Sequence, residues 1–132
     1  MVKLCKQSMG NLLQCYCHFV WSVKNRESLL APNIRYPLLE HMRQYAQRQQ
    51  IELVIINGVA NHIHALVKLK STQSMADMIK KMKGESSRWL NLHHFPENNF
   101  LWQAGYGSFT VSPDRVPTVV RYILNQERHH KK

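Results

Sequence analysis

Two histidines separated by one apolar residue, His62 and His64 in the run NHIHALVKLK, are the first candidates for chemistry in this chain. Residues two apart on a β-strand point to the same side, so both imidazoles would lie on one face of a sheet while Ile63 packs on the other. Neutral imidazole is a common metal ligand. The pair therefore predicts a metal site on a sheet; the alternative is two exposed histidines on a solvated strand face.

A second pair, Tyr122 and Gln126 in the run VVRYILNQERHH, has helical spacing. Residues four apart share one face of a helix, so a single helix could present both side chains. A DNA phosphodiester has no neighbouring 2′-hydroxyl and needs an outside nucleophile, which a tyrosine hydroxyl can provide by forming a phosphotyrosine. A divalent ion would orient and polarise the phosphate. The alternative is structural, a tyrosine that packs on the sheet.

The charge of the chain narrows the choice of partners. Its 132 residues hold 18 Lys and Arg against 8 Asp and Glu, a net charge of +10. Such a surplus favours polyanions, DNA or RNA above all. No apolar run approaches the ~20 residues that span a bilayer, and the N-terminal residues lack the apolar segment of a signal peptide, so no membrane association is expected. The length predicts one domain over residues 1–132.

The cysteines indicate the compartment. Cys5, Cys15 and Cys17 form an odd set without the spacing of a disulfide framework, which favours reduced thiols and a cytoplasmic protein. Cys15 and Cys17 share one side of a predicted strand, with His18 adjacent, and a zinc site there is the alternative. Because no second Cys pair follows at ligand spacing, buried thiols are the preferred interpretation.

Hydrophobic periodicity and turn residues predict a chain in which strands and helices alternate. The predicted strands span residues 14–23, 51–60, 62–69 and 102–112. The predicted helices are 33–50, a segment capped by Ser74 with Asp77, and a last segment from Ser112 to about Arg128. The turn after the second strand has two possible places: Asn57-Gly58 has the composition of a hairpin turn, although Val59 and Ala60 could extend the strand instead.

The order β-α-β-β-α-β followed by a further helix predicts an α+β, ferredoxin-like fold built on the split-βαβ antiparallel sheet. In this fold the first and third strands lie side by side at the centre of the sheet. His62 and His64 would therefore lie where the backbone is stiffest and a metal site is best held. The added C-terminal helix would carry Tyr122.

Four motifs, in this order, resemble a known family: FVWSVKNRE, NHIHALV, WQAGYGSFTVS and RYILNQERHHKK. From about Tyr16 onward the chain is similar to the single-tyrosine HUH transposases of small bacterial insertion sequences, the IS200-like transposases. The resemblance implies that His62, His64 and Gln126 bind a divalent ion, Mg²⁺ or Mn²⁺, and that Tyr122 is the nucleophile. It also implies metal-dependent nicking and rejoining of single-stranded or hairpin DNA through a 5′-phosphotyrosine intermediate.

The resemblance further implies a homodimer in which the tyrosine helix of one subunit serves the histidine pair of its partner. Cutting and rejoining both ends of an element needs two tyrosines, and a two-fold dimer supplies them. Gly105 and Gly107 flank Tyr106 shortly before the last helix and could form a hinge for this exchange. Alternatively, the two glycines only make a bulge in an edge strand.

Eight basic residues are candidates for contacts with DNA phosphates. They are Lys24, Arg26, Lys68, Lys70, Lys80, Lys81, Lys83 and Arg88. A solvated charged surface is the alternative for each of them. Four aromatic residues are candidates for stacking on unpaired bases, with one or two of them expected in the core: Trp21, Trp102, Tyr106 and Phe109.

Two other functions fit the same sequence. One is a non-catalytic ferredoxin-like regulator that binds DNA or RNA and carries the histidines incidentally. The other is a host-domesticated HUH nickase that acts on repeated hairpins. Metal-dependent covalent capture of DNA would separate the two enzymes from the binding protein.

Overall fold

Four antiparallel strands form the centre of the structure, a computed structural model that describes residues 14–126. The strands are Cys15–Ser22 (β1), Glu52–Val59 (β2), His62–Leu69 (β3) and Gly107–Val111 (β4), in the spatial order β2-β3-β1-β4. The helices are Pro32–Arg48 (α1), Met75–His93 (α2) and Val116–Leu124 (α3). The predicted α+β, ferredoxin-like arrangement is confirmed, with β1 and β3 adjacent at the centre and a helix added after β4.

The two faces of the sheet differ in character. Alternate residues of β1 and β3 pack against α1 and α2 and form the main core. The central strand residues of this core are Cys17, Phe19, Trp21, Ile63, Ala65 and Val67, all buried. α3 lies against β2 and β3 on the opposite side, where it buries Ile123. We call the first side the core face and the second the histidine face, after His18, His62 and His64.

Local sequence explains where the two long helices begin. α1 begins at Pro32, which is favoured in a first turn because proline has no N–H to leave unpaired. α2 begins after Ser74, whose hydroxyl accepts a hydrogen bond from the Asp77 N–H at 3.0 Å. The predicted cap at Ser74 is therefore confirmed, and the helix buries Met78 and Met82 in the core.

The prediction of a hairpin turn at Asn57-Gly58 is wrong, because the turn between β2 and β3 comes after Val59. Both residues lie inside β2, which continues to Val59 as the alternative placement has it. A Cβ atom on Gly58 would lie 2.7 Å from the His62 carbonyl oxygen and 2.7 Å from Ile63 Cδ1. Glycine is needed there for the close approach of β3 rather than for a turn.

The fourth strand is shorter than the predicted segment 102–112. β4 covers only Gly107–Val111, and Trp102 forms an isolated bridge with Val23. Between the two, Gly105 has a φ of 84°. This left-handed conformation, which glycine adopts without steric cost, interrupts the extended backbone that the sequence pattern predicts.

The last helix also begins later than predicted. Residues Pro113–Arg115 form a 3₁₀ turn, and α3 starts at Val116. Its predicted end near Arg128 lies outside the described residues, as does Cys5. Across residues 14–126, none of the helices combines the length and the apolar character that crossing a bilayer requires.

Candidate active site

A third histidine joins the predicted pair on the same face of the sheet. In the pairing of β1 with β3, Val20 lies opposite His64, which makes His18 a diagonal neighbour of His64. The Nε2 of His18 and the Nδ1 of His64 are 2.8 Å apart, a hydrogen bond between two imidazoles. The ring centres of His62 and His64 are 5.0 Å apart. Three imidazoles thus form one cluster, and the sequence predicts only two of them.

The zinc alternative for Cys15, Cys17 and His18 does not fit the structure. Cys17 is fully buried on the core face, whereas His18 points to the histidine face, because neighbouring residues of a strand point to opposite sides. Burial raises the pKa of the Cys17 thiol, which keeps it protonated. Among residues 14–126, no group of three or more His, Cys, Asp or Glu side chains is arranged to hold a metal ion.

The histidine cluster is buried, in contrast to the exposed pair that was the alternative for His62 and His64. These two side chains are 6% and 5% exposed, and His18 is 9% exposed. Burial disfavours the charged imidazolium and lowers the pKa of His18 below its ordinary value. His18 is therefore a neutral imidazole near pH 7, with one nitrogen that donates and one that accepts.

Asn61, in the turn before β3, connects the cluster to the basic loop after β1. Its Oδ1 lies 2.8 Å from the Nδ1 of His62, and its Nδ2 donates to the carbonyl oxygen of Arg26 at 3.4 Å. Arg26 and Asn25 both have left-handed backbone conformations, with φ of 55° and 59°. No motif in the sequence gives Asn61 a role, because the role depends on a loop 35 residues away.

Tyr122 of α3 lies beside the histidines of its own chain. Its ring centre is 5.8 Å from that of His64 and 6.3 Å from that of His18, both in edge-to-face orientation. The side chain is nevertheless 45% exposed. The two predicted constellations, separated by about sixty residues in sequence, therefore meet on one face of the sheet.

Gln126, one helical turn beyond Tyr122, is completely buried. Its Nε2 donates to the carbonyl oxygen of Tyr122 at 3.1 Å. Because a carbonyl can only accept, this bond fixes the orientation of the amide, and the Oε1 has no hydrogen-bond partner among the described residues. A buried, unpaired acceptor costs about 1–3 kcal/mol of stability. A cation bound at this oxygen would offset that cost.

Asn57 of β2 holds the end of the tyrosine helix. Its Nδ2 donates to the carbonyl oxygens of Ile123 at 2.8 Å and Leu124 at 3.3 Å. The last carbonyls of a helix have no partner within the helix, so this side chain satisfies two of them. Asn57 pairs with His64 across β2 and β3. One cross-strand pair thus combines a candidate metal ligand, His64, with the side chain that docks α3, Asn57.

The structure places the predicted DNA contacts in different regions. Lys24 and Arg26 are exposed in the loop after β1, close to His62, because Ser22 at the end of β1 pairs with His62. Lys68 is on the histidine face near the far end of β3, with its Nζ 5.8 Å from the ring centre of Tyr16. Lys70 follows it, exposed, and donates to the Gln50 carbonyl oxygen at 2.7 Å.

The other four basic residues lie on α2, which packs on the core face, away from the histidines. Lys80 and Lys81 are exposed. Lys83 donates to the carbonyl oxygens of Gln103 and Gly105, both at 2.9 Å, and so fixes the segment before β4. Arg88 donates to Glu85 at 2.7 and 2.9 Å. The structure does not bring this group to the histidine cluster.

Two of the four aromatic candidates lie in or against the core, and the other two are exposed. Trp21 is buried in the core, and Trp102 packs against that core while its Nε1 donates to Ser86 Oγ at 3.0 Å. Tyr106 and Phe109 are exposed. The Phe109 ring centre lies 6.0 Å from that of His18, at the edge of the cluster. The expectation that one or two of the four belong to the core is confirmed.

Comparisons with known proteins agree with the motifs. The family model described as Transposase IS200 like matches residues 11–126. The ISDra2 transposase TnpA of Deinococcus radiodurans is 26% identical to this chain over 127 residues, which cover 92% of this chain and 90% of that protein.

Two solved structures have a similar fold. One is a crystal structure of a candidate transposase from Deinococcus radiodurans R1, with a TM-score of 0.72 and 25% identity over 96% of this chain and 98% of that chain. The other is a REP-associated tyrosine transposase bound to a REP hairpin, with a TM-score of 0.69 and 17% identity over 99% of this chain and 75% of that chain. The second likeness shows the fold alone.

Proposed function

The chain belongs to the IS200-like transposase family, and on that premise we propose that it nicks and rejoins single-stranded DNA through a phosphotyrosine on Tyr122. The observation that carries the proposal is the Tyr122 ring, 5.8 Å from the ring of the buried His64. The side chain is 45% exposed, so it is not enclosed in the core. Part of the Tyr122 side chain is therefore open to a DNA strand while the ring remains beside the histidines.

We propose that His62 and His64, through Nε2, and Gln126, through Oε1, hold a divalent metal ion. When bound, such an ion polarises the scissile phosphate and orients it for in-line attack. The donor set fits this role: an amide oxygen suits Mg²⁺ or Mn²⁺, while two imidazole nitrogens favour a transition metal and so Mn²⁺ over Mg²⁺. The Gln126 oxygen, an acceptor that is unpaired among residues 14–126, supports the assignment.

The proposed reaction is a transesterification. The Tyr122 Oη attacks the phosphorus, the bond to the 3′-oxygen breaks, and the phenol proton leaves to water. The departing 3′-oxygen takes a proton from water and becomes a 3′-hydroxyl, while the 5′ end remains on Tyr122 as a phosphotyrosine that conserves the bond energy. The 3′-hydroxyl of another strand then attacks this phosphorus and loses its proton to water, while the bond to the Tyr122 Oη breaks and the tyrosine oxygen regains a proton from water.

The proposed substrate is single-stranded or hairpin DNA. The net charge of +10 favours binding to any DNA and so does not select between forms. Selection would come from the burial of the histidines between the sheet and α3, since only a strand free of its complement can bring a phosphate that close. The similarly folded REP-associated transposase is bound to a hairpin, which supports this choice.

The proposed assembly is a homodimer in which α3 serves the histidines of the partner. In the described chain Tyr122 lies beside its own histidines, so sharing requires α3 to leave this position. β4, which pairs with β1, separates Gly105 and Gly107 from α3, so a change of backbone direction that moves α3 alone must occur between Val111 and Val116 and not at these glycines. Two tyrosines in one assembly would allow both ends of a DNA element to be cut and rejoined.

The test uses labelled hairpin-bearing single strands from the flanks of the gene, Mn²⁺ and a denaturing gel. The parent protein should form a covalent protein–DNA band. Tyr122→Phe should bind the same DNA without the band, because only the hydroxyl is removed, and Tyr106→Phe, equally exposed in the parent, is the matched control. A band that persists in Tyr122→Phe or in excess chelator would contradict the chemistry. Equal cleavage of perfect duplex would contradict the substrate.

A further inference from the structure

Each proposed histidine ligand has its Nδ1 in a hydrogen bond with a residue that is not itself a ligand. The Nδ1 of His62 lies 2.8 Å from Asn61 Oδ1, and the Nδ1 of His64 lies 2.8 Å from His18 Nε2. We propose that Asn61 and His18 are positioning residues that hold both ligands in the Nδ1–H tautomer, so that each Nε2 keeps the lone pair that binds the metal. This inference rests on the proposed metal site.

The tautomer of His62 follows from the orientation of the Asn61 amide. The carbonyl oxygen of Arg26 can only accept a hydrogen bond, so the amide end that faces it, at 3.4 Å, is Nδ2. The other end, which faces His62, is therefore the oxygen. Because that oxygen also can only accept, the proton of the bond must be on the Nδ1 of His62, and the Nε2 carries the lone pair.

The tautomer of His64 depends on which imidazole donates in the His18–His64 bond. If His64 Nδ1 donates, the His18 Nε2 accepts and His18 carries its own proton on Nδ1. The reverse arrangement would leave the proton of His64 on Nε2 and remove a ligand. Both side chains are buried, so a solvent molecule cannot simply replace this bond. Partners of this kind fix the ring and raise its basicity, and their removal typically weakens metal binding about 10- to 100-fold.

The first measurement is Mn²⁺ affinity of the full chain without DNA, from the electron paramagnetic resonance signal of free Mn²⁺. Asn61→Ala and His18→Phe should each bind Mn²⁺ about 10- to 100-fold more weakly than the parent. Asn61→Asp, which keeps the acceptor oxygen, should bind at least as tightly as the parent. His93→Phe, the same chemical change at an exposed position of α2, should leave the affinity unchanged.

The second measurement is the long-range ¹H–¹⁵N spectrum of the histidine rings in the metal-free protein. It should show His62 and His64 protonated on Nδ1, and in His18→Phe the preference of His64 should disappear. A role limited to packing would not set the position of these protons. The spectrum of the parent also decides the matter if a variant fails to fold: Nδ1–H at both ligands supports the inference, and Nε2–H at either overturns it.

The outcomes separate this inference from the function on which it rests. If the parent binds no Mn²⁺, both the proposed metal site and this inference are wrong. If the parent binds Mn²⁺ and His64→Ala does not, the metal site stands. In that case unchanged affinity in the folded Asn61→Ala and His18→Phe variants overturns the positioning role alone.

Discussion

The two faces of the sheet differ in the kind of side chain that they bury. The core face is packed by two long helices, and its side chains are apolar almost throughout. The histidine face is covered by α3, a helix of 9 residues. Beneath and beside it lie buried polar side chains: His18, His62, His64 and Gln126.

This difference shows how the fold can tolerate buried polar side chains on the histidine face. Burying polar groups costs free energy unless each is hydrogen-bonded, and the Gln126 oxygen lacks a bond among the described residues. The core face supplies the apolar burial that stabilises the sheet as a whole. The histidine face can therefore keep the proposed metal ligands on the sheet while the proposed nucleophile is carried by a short helix.

The largest expected effect is the recovery of activity when two inactive variants are mixed, which tests whether α3 of one subunit can serve the sheet of its partner. Tyr122→Phe and His64→Ala are each expected to be inactive, but mixed and re-equilibrated they should recover about a quarter of the parent activity if sites are shared. The reason is that half of the dimers are mixed and each then has one complete site of two. The measurement is cleavage of labelled single-stranded DNA by the mixture. No recovery despite subunit exchange, or a monomer by light scattering at micromolar concentration, would contradict sharing.

A second, smaller effect concerns the docking of α3. Asn57→Ala removes both hydrogen bonds to the end of the helix and should lower cleavage about 30-fold, since two bonds of about 1 kcal/mol each contribute about 2 kcal/mol. Mn²⁺ affinity of His62 and His64 should change little. Asn91→Ala is the matched control, because Asn91 also donates to backbone carbonyls, those of Ser87 and Phe100, but on the core-face helix α2.

The two variants should differ in which property changes. Asn91→Ala should lower the free energy of unfolding and leave the cleavage rate of the folded protein intact. Asn57→Ala should lower the cleavage rate and change the free energy of unfolding little. If Asn57→Ala destabilises the fold as much as the control and cleaves DNA at the parent rate, then α3 is not held in place by this side chain.

The sequence predicts what local pattern determines and misses what distant contacts determine. The strand with His62 and His64 is predicted with its bounds, because alternation and the pair itself lie within eight residues. His18 and Asn57 are missed, because each reaches the site only through pairing with another strand. Gly58 is assigned to a turn because glycine signals both turns and close backbone approach, and only the packing of β3 distinguishes them.

A third prediction separates the basic residues of the two faces. Replacing both Lys24 and Arg26 with Gln should weaken binding of single-stranded DNA several-fold and reduce the slope of log affinity against log salt by about 1.4, because each of the two cations would neutralise one phosphate. Replacing both Lys80 and Lys81, which are also exposed but lie on α2, should change the slope less. Equal slopes for the two double variants would mean that the DNA path does not favour the histidine face.

The smallest expected effect lies on the core-face side, at the ion pair between Glu85 and Arg88. Hydrogen bonds from Arg88, with a further one from His41 at 2.6 Å, lower the pKa of Glu85 to about 2 from its ordinary value of 4.5. A carboxyl whose pKa is lower in the folded state stabilises the fold above its unfolded pKa. That stability is present at neutral pH and is lost as the pH falls from about 4.5 towards 2.

The measurement is urea unfolding of the parent and of Glu85→Gln at pH 7 and at pH 3. Arg88 is 56% exposed, so water screens the pair, and the parent should lose only about 1 kcal/mol more than the variant between the two pH values. Cleavage at neutral pH should be the same in both proteins, because Glu85 contributes to stability on the side of the sheet that has no part in the reaction. Slower cleavage by a stably folded Glu85→Gln would show that the two faces are coupled, and the division between them would have to be abandoned.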